Sequence, residues 1–125
     1  TTPFGRFHNR SYKELTREAY LGAIADAGIE KGRGIEFAYF TNCGMWVDNQ
    51  ACIRGQVCFT PLVNEGLFPE RVPMINVEGG CASGQMALHS AWKDILSGQS
   101  ELTLAIGVEK LFNPDHPEKT MNAYM

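Results

Sequence analysis

Apolar residues recur along this chain at two spacings that alternate with one another. Three short apolar runs, at residues 35–40, 73–77 and 102–108, predict buried β-strands, and a proline bounds the second run. The segments between them carry apolar residues at helical spacing. This order predicts βαβ units, which require a mainly parallel sheet. We therefore expect an α/β fold in which a mainly parallel, mixed sheet has helices on both faces.

Local signals predict where the helices begin and end. Ser11 and Glu14 occupy the two ends of a capping box, and the apolar stripe that follows them ends at a glycine. A second helix is predicted over residues 49–63, with Pro61 interrupting its pattern. A third is predicted over residues 82–97, before another glycine. Core packing is predicted for the apolar residues of this third helix, which are Met86, Ala87, Ala91, Trp92 and Ile95.

The junction between the second strand and the third helix carries the candidate chemistry, Gly-Gly-Cys-Ala-Ser-Gly at residues 79–84. Its cysteine, Cys81, is predicted to lie at a helix N-terminus. Unpaired N–H groups and the helix dipole favour a thiolate there, and the small neighbours leave room for another molecule. Gly79 and Gly80 permit backbone angles that side chains would oppose. The alternative is a buried structural cysteine.

Residues 75–110 resemble the N-terminal half of thiolases, in particular the sterol-carrier-protein-2 type. There a strand, a Cys-Ala-Ser/Thr-Gly turn, a long helix and a strand ending in Gly-x-Glu-Lys follow one another; here the last motif occupies residues 107–110. The opening Thr-Pro-Phe-Gly-Arg-Phe, residues 2–7, is similar to the loop after the first thiolase strand. The resemblance implies an incomplete thiolase N-terminal domain over residues 1–125, without the C-terminal half.

The resemblance also implies an activity, acyl transfer between a 3-ketoacyl-CoA or acetyl-CoA and coenzyme A. Cys81 matches the cysteine that becomes acylated in the family, and its backbone N–H would be one oxyanion donor. Coenzyme A and its acyl thioester are then substrates, so no separate cofactor is expected, and no CoA-contact residue is assigned. Two alternatives stay open: a ketoacyl-synthase-like condensing enzyme, and a non-catalytic thiolase-like partner subunit.

The family completes its site with parts that this chain lacks. These are an Asn-Glu-Ala-Phe-like segment, a Gly-His-Pro-like histidine and a second cysteine in Cys-x-Gly, all in the second half, and none of these motifs occurs here. We therefore expect the chain to need a C-terminal thiolase half or a partner subunit. We also expect it to form homo- or hetero-oligomers and to be inactive alone.

The local histidines offer no substitute for the missing one. His89 follows Cys81 by eight residues, which separates the two by about 12 Å along a helix axis, too far for a hydrogen bond. We predict a packing or surface role for it. His8 lies in the opening loop, where it could approach a site, and His116 is predicted to be solvated.

Structural roles are predicted for the other polar candidates. Glu109 and Lys110 are expected to form an ion pair that orders the following loop. Arg54 and Gln56, on the second helix, are expected to be solvated or to face another subunit. The polar tail at residues 112–125, which contains two prolines, predicts a loop.

Composition excludes several classes of function. The chain has 125 residues, a formal net charge of −3 and no basic run, so nucleic acid is not an expected partner. No apolar stretch is long enough to span a bilayer, and we expect a cytoplasmic protein, or a peroxisomal one in a eukaryote. Cys43, Cys52 and Cys58 lack Cys-x-x-Cys spacing, so we expect no metal site and interpret them as small buried hydrophobes.

Overall fold

The computed structural model describes residues 1–111, 114–115 and 117–118. The predicted tail loop therefore lies mostly outside the described residues. Within them the regular elements, in chain order, are α1 (Tyr12–Asp26), β1 (Phe37–Thr41), α2 (Arg54–Asn64), β2 (Met74–Val77), α3 (Ser83–Ser97) and β3 (Thr103–Gly107). Single turns of 3-10 helix occur at Glu30–Gly32, Met45–Asp48 and Gly80–Ala82.

The described strands form one parallel sheet in the order β2–β1–β3. On the central strand, Phe40 lies opposite Asn76 of β2 and Ile106 of β3. Because the strands run in the same direction, their carboxyl ends meet at one edge of the sheet. The predicted α/β fold is confirmed, and every strand pair within the described residues is parallel.

The two faces of β1 pack against different helices, as predicted. Successive strand residues point to opposite faces, so Ala38 and Phe40 belong to the large core under α1 and α2. Tyr39 lies on the other face, in a smaller cluster with Ala87 and Ala91 of α3. The Tyr39 hydroxyl also donates a 2.7 Å hydrogen bond to the Asp94 carboxylate. Burial, with this bond, raises the pKa of Tyr39 to about 12, and the contact anchors α3 on the central strand.

The capping box at the start of α1 forms as the sequence predicts. The Glu14 N–H donates to Ser11 Oγ at 3.2 Å, and the Ser11 N–H donates to Glu14 Oε2 at 2.7 Å. The bond from the Ser11 N–H is the main cause that lowers the pKa of Glu14. The carboxylate is thereby stabilised in the first turn of the helix, where negative charge is favoured.

The predicted start of the second helix at residue 49 is wrong, because α2 begins at Arg54. Asn49 and Ile53 both adopt left-handed backbone angles, with φ of 65° and 45°. This conformation interrupts a right-handed helix and is unusual for a β-branched residue. Pro61 lies inside α2 without ending it.

The predicted burial of the third helix is only partly correct. Ala87 and Ala91 are 1% and 5% exposed, whereas Trp92 is 54% exposed and Met86 and Ile95 are also exposed. Of these predicted core residues, the two alanines pack against Tyr39 of the sheet. The described residues leave an apolar α3 face largely exposed, which is formed by Met86, Leu88, Trp92, Ile95 and Leu96.

Aromatic rings fill the centre of the larger core. Tyr20 and Phe59 are fully or almost fully buried, and their ring centroids lie 5.4 Å apart in an edge-to-face arrangement. Phe68 packs 4.6 Å from Phe59. The Tyr20 hydroxyl reaches the rim of this cluster and donates a 2.8 Å hydrogen bond to the Leu67 carbonyl oxygen. The bond joins α1 to the chain that follows α2.

Replacing Tyr20 by phenylalanine isolates the contribution of that hydroxyl. Tyr20→Phe leaves the Leu67 carbonyl without this donor, so we expect the free energy of unfolding to fall by about 1–2 kcal/mol near neutral pH. Burial raises the pKa of Tyr20 to about 12, above roughly 10 in an unfolded chain. The neutral Tyr20 hydroxyl therefore contributes to the free energy of unfolding fully below the unfolded-state pKa. That contribution is lost as the pH rises towards the pKa of the folded state. Urea unfolding across that pH range should show that the free energy of unfolding falls less steeply with pH in Tyr20→Phe than in the unaltered protein. An equally steep fall in both proteins would contradict the prediction.

Candidate active site

A cavity of about 430 Å³ opens at the carboxyl edge of the sheet. Cys43, Cys81 and Glu109 line it, each from the segment that follows a different strand. This edge is where open parallel sheets usually bind ligands. A smaller cavity of about 180 Å³ shares Glu109 with it and is lined by His8, so the opening loop does approach the candidate site.

Cys81 lies between β2 and α3, as the sequence predicts. The single turn Gly80–Ala82 leads directly into α3, whose N-cap residue Ala82 makes no side-chain capping bond. The Cys81 side chain is exposed, and the structure gives its backbone N–H no acceptor among the described residues. A thiol and an available N–H donor therefore belong to the same residue at the cavity wall.

The two glycines before Cys81 meet different constraints. Gly80 has a φ of 57°, in the left-handed region that side chains oppose, as predicted. The prediction is wrong for Gly79, whose φ of −157° lies outside the left-handed region; a Cβ there would displace only the exposed side chain of Met86.

Ser83 and Cys43 hold this turn from the inside of the molecule. Ser83 is 6% exposed; its Oγ accepts from the Gly79 N–H at 2.9 Å and donates to the Gly80 carbonyl oxygen at 2.8 Å. Cys43, which follows β1, is 8% exposed. Its Sγ lies 3.1 Å from the same carbonyl oxygen and 3.2 Å from Ser83 Oγ. Side chains from two strand–helix junctions thus meet at one backbone oxygen.

The other cysteines divide by burial. Cys43 and Cys58 are buried, as predicted, and desolvation raises the pKa of the Cys58 thiol. The prediction is wrong for Cys52, which is exposed in the irregular segment before α2. The contact between Cys43 and the Cys81 turn was not predicted, because it depends on the sheet register; the one available signal is that Cys43 follows a predicted strand.

Glu109 performs a different task from the predicted ion pair. Its Oε2 accepts from the Cys43 N–H at 2.8 Å, and its Oε1 accepts from the Gly44 N–H and from Asn42 Nδ2, both at 3.0 Å. A Cβ at Gly44 would lie 2.7 Å from that Oε1, so glycine leaves room for the carboxylate. Lys110 instead donates to the Arg10 carbonyl oxygen at 2.6 Å. Glu109 therefore ties the end of β3 to the loop after β1.

Arg54 and Gln56 also have structural partners rather than solvated roles. Arg54 donates to the Asn42 carbonyl oxygen and, at 3.0 Å, to Glu78 Oε2. Gln56 Nε2 donates to the Met74 carbonyl oxygen at 2.9 Å. These bonds connect the start of α2 to β2 and to the residue that precedes the glycines of the Cys81 turn.

The two described histidines do not line the 430 Å³ cavity that contains Cys81. His8 lines the smaller neighbouring cavity. His89 is exposed on α3, with its ring centroid 5.6 Å from that of Trp92, which agrees with a surface role. His116 lies outside the described residues. Among the described residues, no group of three or more potential ligands is placed to hold a metal ion. None of the helices described there is both long and apolar enough to cross a membrane.

Comparison with known proteins decides the family. The family described as thiolase, N-terminal domain, matches residues 1–124. The chain belongs to the thiolase family. This membership favours a thiolase over the ketoacyl-synthase-like alternative, and the predicted resemblance is confirmed.

Several curated thiolase relatives align with most of the chain. It is 34% identical over 112 residues to an acetyl-CoA acetyltransferase of Methanothermobacter thermautotrophicus, covering 88% of this chain and 27% of that protein. It is 36% identical over 112 residues to the acetyl-CoA acetyltransferase of Methanocaldococcus jannaschii, and the alignment covers 88% of this chain and 26% of that protein. Human sterol carrier protein 2 is 32% identical to the chain over 111 residues, and the alignment covers 86% of this chain and 18% of that protein. The chain thus spans about a quarter, or less, of the length of these relatives.

Limited alkylation tests the singular position of Cys81. In the complete protein near neutral pH, we expect limiting iodoacetamide to modify Cys81 before Cys43, Cys52 and Cys58, as measured by peptide mapping. Burial protects Cys43 and Cys58. Cys52 is the matched exposed control: left-handed Ile53 separates it from α2, whereas the turn that contains Cys81 is continuous with α3. Equal labelling of Cys52 and Cys81 would contradict the expectation.

Proposed function

We propose that this chain supplies the nucleophile of a thiolase that transfers an acyl group between a 3-ketoacyl-CoA and coenzyme A. The Cys81 thiolate attacks the 3-keto carbon, and the new S–C bond leaves a tetrahedral oxyanion that accepts from the Cys81 N–H. Collapse restores the carbonyl and breaks the C2–C3 bond, which releases an acetyl-CoA carbanion that takes up a proton. Coenzyme A thiolate then attacks the acyl-cysteine and frees Cys81.

The observation that carries this proposal is the position of Cys81. Its exposed side chain lines a cavity at the carboxyl edge of a parallel sheet, and it directly precedes a helix without a capping side chain. Partial positive charge at such a helix start stabilises an anionic sulfur and a developing oxyanion. The buried Cys58 could not meet a substrate in this way, and the exposed Cys52 does not line this cavity.

The family resemblance implies that the groups which transfer protons lie in the C-terminal half. No histidine lines the 430 Å³ cavity among the described residues, and the carbanion that leaves needs a proton donor. We propose that a C-terminal half supplies these groups, either in the same polypeptide or as a partner subunit. The share of each relative that the chain spans supports this arrangement, and the complete enzyme is expected in the cytoplasm or, in a eukaryote, the peroxisome.

The apolar α3 face gives the missing half a place to pack. Leu88 and Leu96 are 64% and 66% exposed, and Trp92 is 54% exposed. Contiguous apolar patches of this kind mark interaction surfaces in soluble proteins. Covering them with the C-terminal half would also enclose the helix that follows Cys81 and exclude water from the thioester.

Removing the thiol should abolish activity without unfolding the protein. In the complete enzyme, Cys81→Ala is expected to lower the rate of acetoacetyl-CoA thiolysis by about 1,000-fold or more, because a nucleophile has no substitute. The exposed position predicts an unchanged melting temperature. Cys52→Ala, which removes the other exposed thiol, should leave the rate unchanged; a Cys81→Ala enzyme that kept a tenth or more of its rate, about 1.4 kcal/mol of barrier, would refute the proposal.

The 125-residue chain alone should have no thiolase activity. It provides a nucleophile and one oxyanion donor, and residues that act as a unit lose most of the rate when one is absent. The uncovered α3 face should also make the isolated chain associate, which light scattering would detect. Adding the C-terminal half should restore thiolysis and reduce association. If the chain alone turned over substrate at an ordinary enzymatic rate, it would already contain a complete catalytic site, and this prediction would be wrong.

A further inference from the structure

The peptide unit between Gly80 and Cys81 is held at one end and free at the other. Its carbonyl oxygen accepts from Ser83 Oγ at 2.8 Å and from Cys43 Sγ at 3.1 Å. Its N–H, which belongs to Cys81, has no acceptor among the described residues. Two side chains therefore donate to the oxygen of this peptide unit, and the N–H of the same unit is available to a ligand.

The planarity of the peptide couples these two ends. The bond is trans, so its C=O and N–H point in opposite directions and rotate together. Holding the Gly80 oxygen consequently sets the direction of the Cys81 N–H. Hydrogen bonds that a carbonyl accepts also polarise the amide, which strengthens its N–H as a donor.

One backbone bond, from the Ser83 N–H to the Gly80 carbonyl oxygen, restrains the turn, but steric contacts add nothing to this restraint. Glycine adopts positive and negative φ about equally readily, and a Cβ at Gly80 would meet nothing within 4 Å. Steric contacts around Gly80 would therefore not oppose rotation of the peptide unit that follows it. The hydrogen bonds from Cys43 and Ser83 resist that rotation.

Cys43 is well placed to provide a fixed donor. It is 8% exposed, and its own backbone N–H donates to Glu109 Oε2 at 2.8 Å. Its Sγ also lies 3.2 Å from Ser83 Oγ, so the two donors are in contact beside the Gly80 oxygen. Neither side chain needs to touch the substrate to act in this way.

We propose that Cys43 is a positioning residue for acyl transfer, whose thiol, together with the Ser83 hydroxyl, aims the Cys81 N–H at the oxyanion. This inference rests on the proposed function, because it requires Cys81 to carry the acyl group. Cys43, the second cysteine of the cavity, would then orient a hydrogen-bond donor without attacking the substrate itself, which is more than a packing role.

Steady-state kinetics of the complete enzyme test the proposal. Cys43→Ala should lower kcat for acetoacetyl-CoA thiolysis by about tenfold, part of the 10²–10³ that one oxyanion donor provides, with KM within about twofold. Cys43→Ser retains a donor near the Gly80 oxygen and should recover most of kcat. Cys58→Ala, at a buried cysteine outside the cavity, is the matched control and should leave both parameters unchanged.

Alkylation separates positioning from general damage. Displacement of iodide from iodoacetamide forms no oxyanion, so the rate of Cys81 alkylation in Cys43→Ala should stay within about twofold of the unaltered enzyme. In the acetylated enzymes, the infrared carbonyl stretch of the thioester should move to higher wavenumber in Cys43→Ala, because its hydrogen bond is weaker.

Three results would overturn the positioning role: an unchanged kcat in Cys43→Ala, a Cys43→Ser enzyme as slow as Cys43→Ala, or alkylation that slows in parallel with turnover. If Cys43→Ala does not fold, Ser83→Ala removes the other donor and carries the same comparison. Cys81→Ala tests the proposed function separately. If Cys81→Ala is inactive while Cys43→Ala has normal kcat, only the positioning role fails; if Cys81→Ala remains active, the nucleophile assignment itself fails.

Discussion

The common direction of the three strands is the constraint on which this structure depends. Because β1 pairs in parallel with both neighbours, the segments after β1, β2 and β3 leave the sheet at one edge. Each contributes a different group there: the thiol of Cys43, the turn that carries Cys81, and the carboxylate of Glu109. Helices on both faces of β1 support this edge, so groups far apart in sequence meet on a fixed frame.

Local pattern was sufficient to predict the fold class and the position of Cys81 between a strand and a helix. A short apolar strand, two glycines and a helix with apolar spacing are short-range signals, and the Cys81 turn is built from them. The predicted burial of that strand is wrong within the described residues, because β2 forms an edge of their sheet and Ile75 is 47% exposed. The start of α2 was not predictable in this way, since the left-handed angle at Ile53 contradicts the intrinsic preference of a β-branched residue. Contacts from Cys43 to Gly80 and to Glu109 depend on strand order and register, which one sequence does not specify.

The apolar residues of α3 show another limit of sequence patterns. Hydrophobic spacing reports burial in the complete structure, whereas the described residues cover only the side of the helix that carries Ala87 and Ala91. The exposed Trp92 and its apolar neighbours would agree with the prediction of a core helix only if a second layer covered them, as we propose. The discrepancy locates the surface on which that layer would pack.

Ser83 has a consequence for attempts to make the protein more heat-resistant. It occupies the first position of α3, where alanine has a higher intrinsic helix propensity, so a search for stabilising substitutions would favour replacing it. Yet its hydroxyl bonds to both glycines before Cys81. Losing these two buried bonds would cost about 1–3 kcal/mol, more than the at most about 0.7 kcal/mol that helix propensity offers, so replacement would lower thermal tolerance and turnover together at this one position.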